Sequence, residues 1–464
     1  MRPPKLLSHD ARTISIYRNP GRKNYAEHVN PQWVRLLSLL DMNVRYIRCE
    51  GAELFTEDGE RILEFLSGYC VHNLGHNHAG VIAALHDELD RSGPAMLQSH
   101  VPELAGELAQ ELCGRAGGQL RKAFFCSSGS EGVEAIIKFA RVHTGRSGLL
   151  YCEDAFHGLT CGALSLMADT SWAQGFRPLL PGAESVPFNQ LPDLESKLAT
   201  RKFAAFVVEP VQSEGGIQLP AQDYLQTAQE LCRKYGTLFV LDEVQTGLHR
   251  TGPFLAAHRW HLDPDMVVLA KALSGGLIPS GAVLMSDDIY KSVFDSLGRS
   301  IIHTSTYSEN GLAMRAGLAT LEALDAQNLG VQAEIMGIRL RHKLTEALQR
   351  YEMVGQVRGL GLLNGVEFCA PHSLRLRLPF EAFRRIHEGM FGQIVVMKLF
   401  GEQGVLTQMC GNNLMVLKAA PPLIVTEDQI DEYVAALSSV VETIHSSKTF
   451  WMDALYLAHK AVNI

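Results

Sequence analysis

The nine residues Phe239–Gly247, FVLDEVQTG, begin as an unbroken apolar run and end in Asp242, Glu243 and Gln245 before a glycine. A short apolar run without polar alternation fits a strand buried on both faces. Two acids at the tip of such a strand need a physical reason, because an unpaired charge taken out of water is strongly unfavourable.

Similar runs lie on either side: LLYCED at 149–154, FAAFVVEP at 203–210, MVVLAKAL at 266–273 and GAVLMS at 281–286. Segments with helical spacing, such as AQDYLQTAQELCRKYG at 221–236, separate several of them. That alternation predicts an α/β protein: a doubly wound, mostly parallel sheet with helices on both faces. Residues 80–145 carry apolar positions three or four apart and read as helices, broken by the apolar run before Ser127. AELFTEDGERILEFLSG, 52–68, reads as two short strands around the turn Glu57, Asp58, Gly59, and PQWVRLLSLL, 31–40, as an amphipathic helix. Past the central region come a long helix at 328–351, a glycine-punctuated strand pair at 357–368 and a helix at 426–447. The expected organisation is a large unit over 91–345 and a smaller α/β unit built from both chain ends, 1–90 and 346–464.

With 464 residues, 46% hydrophobic and 20% charged, the chain can bury a large core. Its net charge of -8 has no concentrated block, which argues against nucleic acid or an anionic membrane as partner and for a small ligand. Nine scattered cysteines, without a CxxC pair, suit reduced thiols in a cytosol-like compartment. The stretch 1–19 lacks the apolar core of a leader, and no run of about 18 uncharged apolar residues occurs, so a cytoplasmic protein outside the membrane is expected.

In a sheet of this kind ligands bind outside the carboxyl ends of the strands. Asp242 and Lys271 both fall at that edge, where they form either a structural ion pair or part of a site. The turn Ser127–Ser130, SSGS, joins a strand to a helix, with Ser128 and Glu131 spaced as a capping box. Alone it is a well-capped helix; beside a lysine and an acid its free amides make a phosphate cradle. A phosphate cradle, a lysine able to form an imine and a carboxylate facing a cationic ring nitrogen are the three handles of pyridoxal 5'-phosphate. Asp242 then stays ionised because it meets that ring cation.

These motifs resemble the class III, or ornithine-type, pyridoxal-phosphate aminotransferases of fold type I. The likeness runs from EGAELFTEDGERILEFLSGYCVHNLGHNH (50–78) through FFCSSGSEGVEAIIKFAR (124–141), YCEDAFHGLT (151–160), FVVEPVQSEGG (206–216), LDEVQTGLHRTG (241–252), LAKALSGG (269–276) and HTSTYSEN (303–310) to KAAPPLIVTED (418–428). The resemblance implies that Lys271 links to the cofactor and, once displaced by substrate, moves the proton between the substrate carbon and the cofactor. It implies that Asp242 faces the ring nitrogen, Val244 and Phe156 cover the two ring faces, and Gln245 meets the phenolic oxygen. Gly129 and Ser130 hold the phosphate, and Thr306 reaches the phosphate of a second subunit, so a homodimer with a shared site is implied. Taken singly, Phe156 reads as a core aromatic, Gln245 as a turn residue and Thr306 as a strand residue. His76 and His78 have no acid or thiol at ligand spacing, so no metal is expected and both read as loop residues satisfied by hydrogen bonds.

Departures from the family pattern bear on substrate. Leu159 replaces an arginine that usually holds a substrate carboxylate, and Lys418 replaces the arginine that receives the acceptor's carboxylate. Glu214 matches the glutamate that covers that cation when an amine is bound, and Tyr69 matches a pocket tyrosine or is a core residue. The dimer-loop motif carries Ser308 and Glu309 in place of two glycines. The run 371–400, rich in Phe, Leu and Met, reads as a roof over a greasier substrate entrance or as dimer surface. The expected reaction is transfer of a terminal amino group from an amine or diamine to a 2-oxo acid such as 2-oxoglutarate by a ping-pong cycle. An aminomutase or decarboxylase of the same fold is the alternative, and a catalytically silent binding protein is another.

Overall fold

The computed structural model describes residues 20–97, 99–167, 169–386, 389–447 and 450–451; the stretch 1–19 read for a leader lies outside them. Fourteen strands occur among these residues. The first three, β1 (Tyr46–Glu50), β2 (Glu53–Thr56) and β3 (Arg61–Glu64), form an antiparallel meander. The seven of the large sheet follow: β4 (Lys122–Cys126), β5 (Gly148–Cys152), β6 (Ala183–Val186), β7 (Phe203–Val208), β8 (Leu238–Asp242), β9 (Met266–Leu269) and β10 (Gly281–Met285). Their order is β4-β10-β9-β8-β7-β5-β6. The rest are β11 (Val354–Leu360), β12 (Leu363–Phe368), β13 (Val405–Leu406) and β14 (Val416–Ala419).

The two faces of the large sheet are read directly from β8. Val240 belongs to the cluster under the helix Gly129–Thr144, with Val133, Ile136 and Phe139, while Phe239 and Leu241 point into the opposite cluster with Leu225, Ala228 and Cys232 of the helix Tyr224–Tyr235. Alternate side chains of a strand take opposite faces, so an unbroken apolar run is what a doubly covered strand requires.

The large sheet is mostly parallel, as expected, and one strand is the exception. β10 runs antiparallel to both β9 and β4. A parallel return needs a crossover of a dozen or more residues, usually a helix. Only the short 3₁₀ helix Lys271–Ser274 and a loop separate β9 from β10, so the chain turns straight back.

Both chain ends meet in a second sheet, where β13 pairs parallel with β3, joining Val405 to Leu63. β11, β12 and β14 form a third, antiparallel sheet. The helix Ala79–Asp90, assigned by sequence to the N-terminal part of the smaller unit, packs on the helix Gly311–Ala326, with Glu88 bound to Arg315 at 3.1 Å. Arg250 ties the pieces together from a wholly buried position. It donates to Leu362 O (3.1 Å), Pro421 O (2.5 Å), Ser67 Oγ (2.9 Å) and Asn73 Oδ1 (2.5 Å). Such charge-assisted bonds contribute about 1.5–3 kcal/mol each, so four neutral oxygens can hold a buried guanidinium.

The run 371–400 forms the helices Leu374–Ile386 and Met390–Gln403. Phe380, Phe383, Phe391, Val395 and Leu399 are buried, and the Phe391 ring packs edge-on against Phe368 at 5.5 Å and Phe380 at 5.4 Å. Most of the run's large apolar side chains therefore serve as core, while Leu374 and Leu378 are exposed.

Candidate active site

Four strand ends and one turn meet at the carboxyl edge of the large sheet. β8 delivers Asp242 and, just beyond it, Val244 and Gln245; β9 is followed by Lys271; β5 leads to Phe156 and His157; β7 leads to Glu209. β4 enters the turn that opens the helix Gly129–Thr144. Gly129, Ser130, Phe156, Asp242, Val244, Gln245 and Lys271 all line one cavity of about 440 Å³. That size falls in the range of about 300–1,000 Å³ usual for cofactor and ligand pockets.

The turn is close to the expected capping box and departs from it by one residue. Ser128 Oγ accepts from Glu131 N at 3.2 Å, while the Glu131 carboxylate takes the amide of Ser127, at 2.7 Å, in place of that of Ser128. The amides of Gly129 and Ser130, in the first helical turn, have no carbonyl partner within the helix. Opposite them, Gly158 has φ +120°, and a Cβ there would stand 2.1 Å from Ser130 Oγ. Only glycine lets this turn press on the cradle. Leu159 N donates to Ser130 Oγ at 3.3 Å, and the Leu159 side chain is exposed.

The two acids of the opening stretch have different fates. Asp242 Oδ2 is 2.8 Å from His157 Nδ1, both side chains buried, and Asp242 Oδ1 accepts from Val244 N at 3.0 Å. Burial opposes the charge on His157, but the hydrogen bond and charge of Asp242, with Glu209 behind, raise its pKa above the usual value. Glu209 accepts from the amides of Phe156 (3.0 Å) and Ser213 (3.2 Å), and burial pushes its carboxyl up to about 7. Glu243 points away from the cavity. It accepts from Ala256 N (2.7 Å), Ala257 N (2.8 Å) and Thr246 Oγ1 (3.0 Å), and burial likewise lifts it to about 7.

A raised folded-state pKa means that the folded protein holds a proton the unfolded chain has lost. The contribution of Glu243 to stability is therefore complete below its ordinary value near 4.5 and disappears as pH rises through about 7. Glu243→Gln does not titrate. The gap in melting temperature between wild type and this variant should shrink between about pH 5 and pH 7 and stay level above. Parallel curves in thermal unfolding would contradict this.

Lys271 has φ +48°, an unusual backbone conformation for a lysine. Burial lowers the pKa of its amine; the charges of Cys70 and Glu214 oppose this only in part. Beside the cavity, Gln245 accepts from Ser213 Oγ (2.9 Å) and donates to Glu214 Oε1 (3.3 Å). Glu214 also binds Lys418 Nζ, which stands 4.9 Å over the Tyr69 ring. For Lys418, burial lowers the amine pKa but the Glu214 charge outweighs it, so the amine stays charged. Tyr69, Glu214 and Lys418 thus form one cluster at the wall, outside the cavity lining.

Thr306 is not brought to the cavity of its own chain: it is exposed, in the segment before the helix Gly311–Ala326. Ser308 is buried with its hydroxyl on Ser305 O at 2.9 Å, and Glu309 is exposed. His76 stacks on His72 at 3.9 Å and lies 3.5 Å from Glu64, and His78 pairs with Gln327 at 2.9 Å. Among the described residues no His, Cys, Asp or Glu group is arranged to hold a metal ion, and no helix is long and apolar enough to cross a membrane. Sequence reasoning passed over His157 and Glu209, although both lie inside the quoted motifs YCEDAFHGLT and FVVEPVQSEGG.

Residues 39–441 match the family model of class-III aminotransferases. The chain belongs to that family. It is 34% identical to the aminotransferase PigE of a Serratia species over 92% of its own length and 54% of the relative, so it spans about half of that protein. The ornithine aminotransferase of Toxoplasma gondii, whose crystals hold pyridoxal phosphate at partial occupancy, superposes with a TM-score of 0.79 at 26% identity, covering 96% of this chain and 99% of that one. The (S)-enantioselective omega-transaminase of Thermomicrobium roseum gives 0.81 at 26% identity, covering 91% and 97%. As a class-III aminotransferase the protein is a fold type I enzyme that uses pyridoxal phosphate. The cavity suits that cofactor: helix-start amides, a buried carboxylate and a desolvated amine all line it.

Proposed function

We propose that this transaminase takes a terminal, non-α amino group from an amine or diamine-like donor and passes it to a 2-oxo acid such as 2-oxoglutarate in a ping-pong cycle, working as a cytoplasmic homodimer. The observation that carries the substrate assignment is the buried Lys418–Glu214 pair, bonded through Gln245 to the cavity wall. With the pair closed the site faces a donor that has no carboxylate; with the pair opened, Lys418 is a cation for the acceptor's carboxylate. At Leu159, where a donor carboxylate would need a cation, an exposed apolar side chain stands instead.

Bound pyridoxal phosphate supplies an aldehyde for amine exchange and a conjugated ring that takes up electrons as the substrate carbon loses its proton. The amides of Gly129 and Ser130 hold the phosphate at the positive end of their helix. Asp242, with His157 bonded to it, would pair with the ring nitrogen, Val244 and Phe156 would enclose the ring, and Gln245 would serve the phenolic oxygen. Thr306, exposed in its own chain, reaches the phosphate site of a second subunit. Lys271 would hold the cofactor covalently and, once freed, would carry the substrate proton; burial lowers its pKa and favours the neutral amine that this needs.

The test is a panel of donors (ornithine, putrescine, longer monoamines and ω-amino acids) against 2-oxoglutarate and pyruvate. Donors without a carboxylate should exceed ornithine in kcat/KM by about tenfold or more, the value of one lost charge-assisted contact. Ornithine as the best donor would refute the assignment.

A further inference from the structure

Beyond the cavity, one side chain near the C-terminal end is bound into the large sheet's edge by every polar atom it has. Asn412 sits at the tip of the turn that Cys410 closes onto Val416 O at 2.8 Å. Its Oδ1 accepts from Trp172 Nε1 at 2.9 Å, and its Nδ2 donates to the carbonyls of Asp154 (2.8 Å) and Ala155 (3.0 Å). Its own amide donates to Glu214 O at 2.9 Å. The neighbouring amide, Gly411 N, donates to Glu214 Oε2 at 2.7 Å, while Oε1 of the same carboxylate holds Lys418. A Cβ on Gly411 would stand 3.0 Å from Glu214 Oε2 and 3.4 Å from the Trp172 ring, so the three groups are in close register. Trp172 also meets Phe156 edge-on at 5.8 Å.

We propose that Asn412 and Trp172 form a latch that fixes Glu214, and through it Lys418, for the carboxylate of the 2-oxo acid. Both are positioning residues, acting through Gly411 and Glu214. The chain of dependence is short: Lys418 is placed by Glu214, one oxygen of Glu214 by the Gly411 amide, and that amide by Asn412. A bound carboxylate draws Lys418 away from Glu214, and Glu214 still keeps the Gly411 amide and Gln245. The acid that Lys418 leaves behind is thereby held in advance, which is what lowers the cost of binding the 2-oxo acid. The amine half-reaction, in which Glu214 and Lys418 stay paired, leans on the latch far less. The inference rests on the reading of this ion pair given above.

The two half-reactions of the purified holoenzyme are to be followed separately by cofactor absorbance in single turnovers, one with an amine donor and one with 2-oxoglutarate. Asn412→Ala should raise the 2-oxoglutarate concentration for half-maximal rate about tenfold and change that of the donor less than about threefold. Trp172→Phe keeps the ring beside Phe156, removes only the N–H, and should raise the same parameter about threefold. Because both changes cut one connection, the double variant should be no worse than Asn412→Ala alone. Equal losses in both half-reactions, or additive losses in the double variant, would overturn the latch. Lys418→Met is the control: if it leaves the 2-oxoglutarate half-reaction unchanged, the ion-pair reading fails and the latch with it. If Lys418→Met impairs that step and Asn412→Ala does not, the latch alone is wrong.

Discussion

Lys271→Ala should lower turnover by about 10³-fold or more while the protein still takes up cofactor through its phosphate and ring contacts. Among the described residues that line the cavity, Lys271 is the basic group not engaged with an acid. His157 is committed to Asp242, and Lys418 is held charged by Glu214. Burial lowers the pKa of the Lys271 amine, which gives it the neutral form that a base requires near neutral pH. Removing a desolvated amine takes away an unfavourable burial, so the variant should melt no lower than wild type. Calorimetry and steady-state rates check both halves: retained turnover would remove Lys271 from the chemistry, and a large loss of stability would make it a structural residue.

Asp242→Ala is expected to slow the amine half-reaction about 10²–10³-fold and to weaken cofactor binding much less. The carboxylate lines the cavity beside His157, whose Nδ1 lies 2.8 Å from Oδ2, so its charge has a partner at depth. Without it, the cationic form of a ring nitrogen has no counter-charge. His157 would lose the bond and charge that raise its pKa, burial would then prevail, and the imidazole would be neutral. The Val244 amide would also lose its acceptor, at a cost in stability of about 1–3 kcal/mol. Comparing the single-turnover rate with the phosphate-dependent binding constant separates the two effects. An unchanged rate would show that the acid at the end of β8 serves only to hold His157.

Why so much of the fold was legible is plain in β8: a strand covered on both sides must be apolar throughout, and its neighbours β5, β7 and β9 obey the same rule. Where that rule fails, strands were missed. β6, AESV, is an edge strand that keeps Glu184 exposed, and β1, YIRCE, is largely exposed. The direction of β10 depends on what connects it to β9, and the run itself does not encode that. The helix Met390–Gln403 is apolar on nearly every side, a pattern that belongs to buried helices, yet residue composition alone suggested a surface role.

For the site, residues that line the cavity follow strand ends and could be found from local signals. Residues that act behind them could not. His157 and Asp242 lie 85 positions apart and Trp172 and Asn412 lie 240 apart, and only folding makes them partners. Glu243, adjacent to Asp242, shows the limit of the same local signal: it marks the tip of the strand but supports the 3₁₀ helix Ala256–Trp260.

If the ends of β8 and β9 and the turn before Gly129 hold one pyridoxal phosphate, the cofactor is bound to a single lysine. Borohydride reduction of the cofactor-loaded protein, followed by digestion and mass mapping, reads this without any assumption about substrate. The account predicts a single phosphopyridoxyl adduct on Lys271, absent from Lys271→Ala. An adduct on another lysine, or none on a protein that has taken up the cofactor, would contradict it.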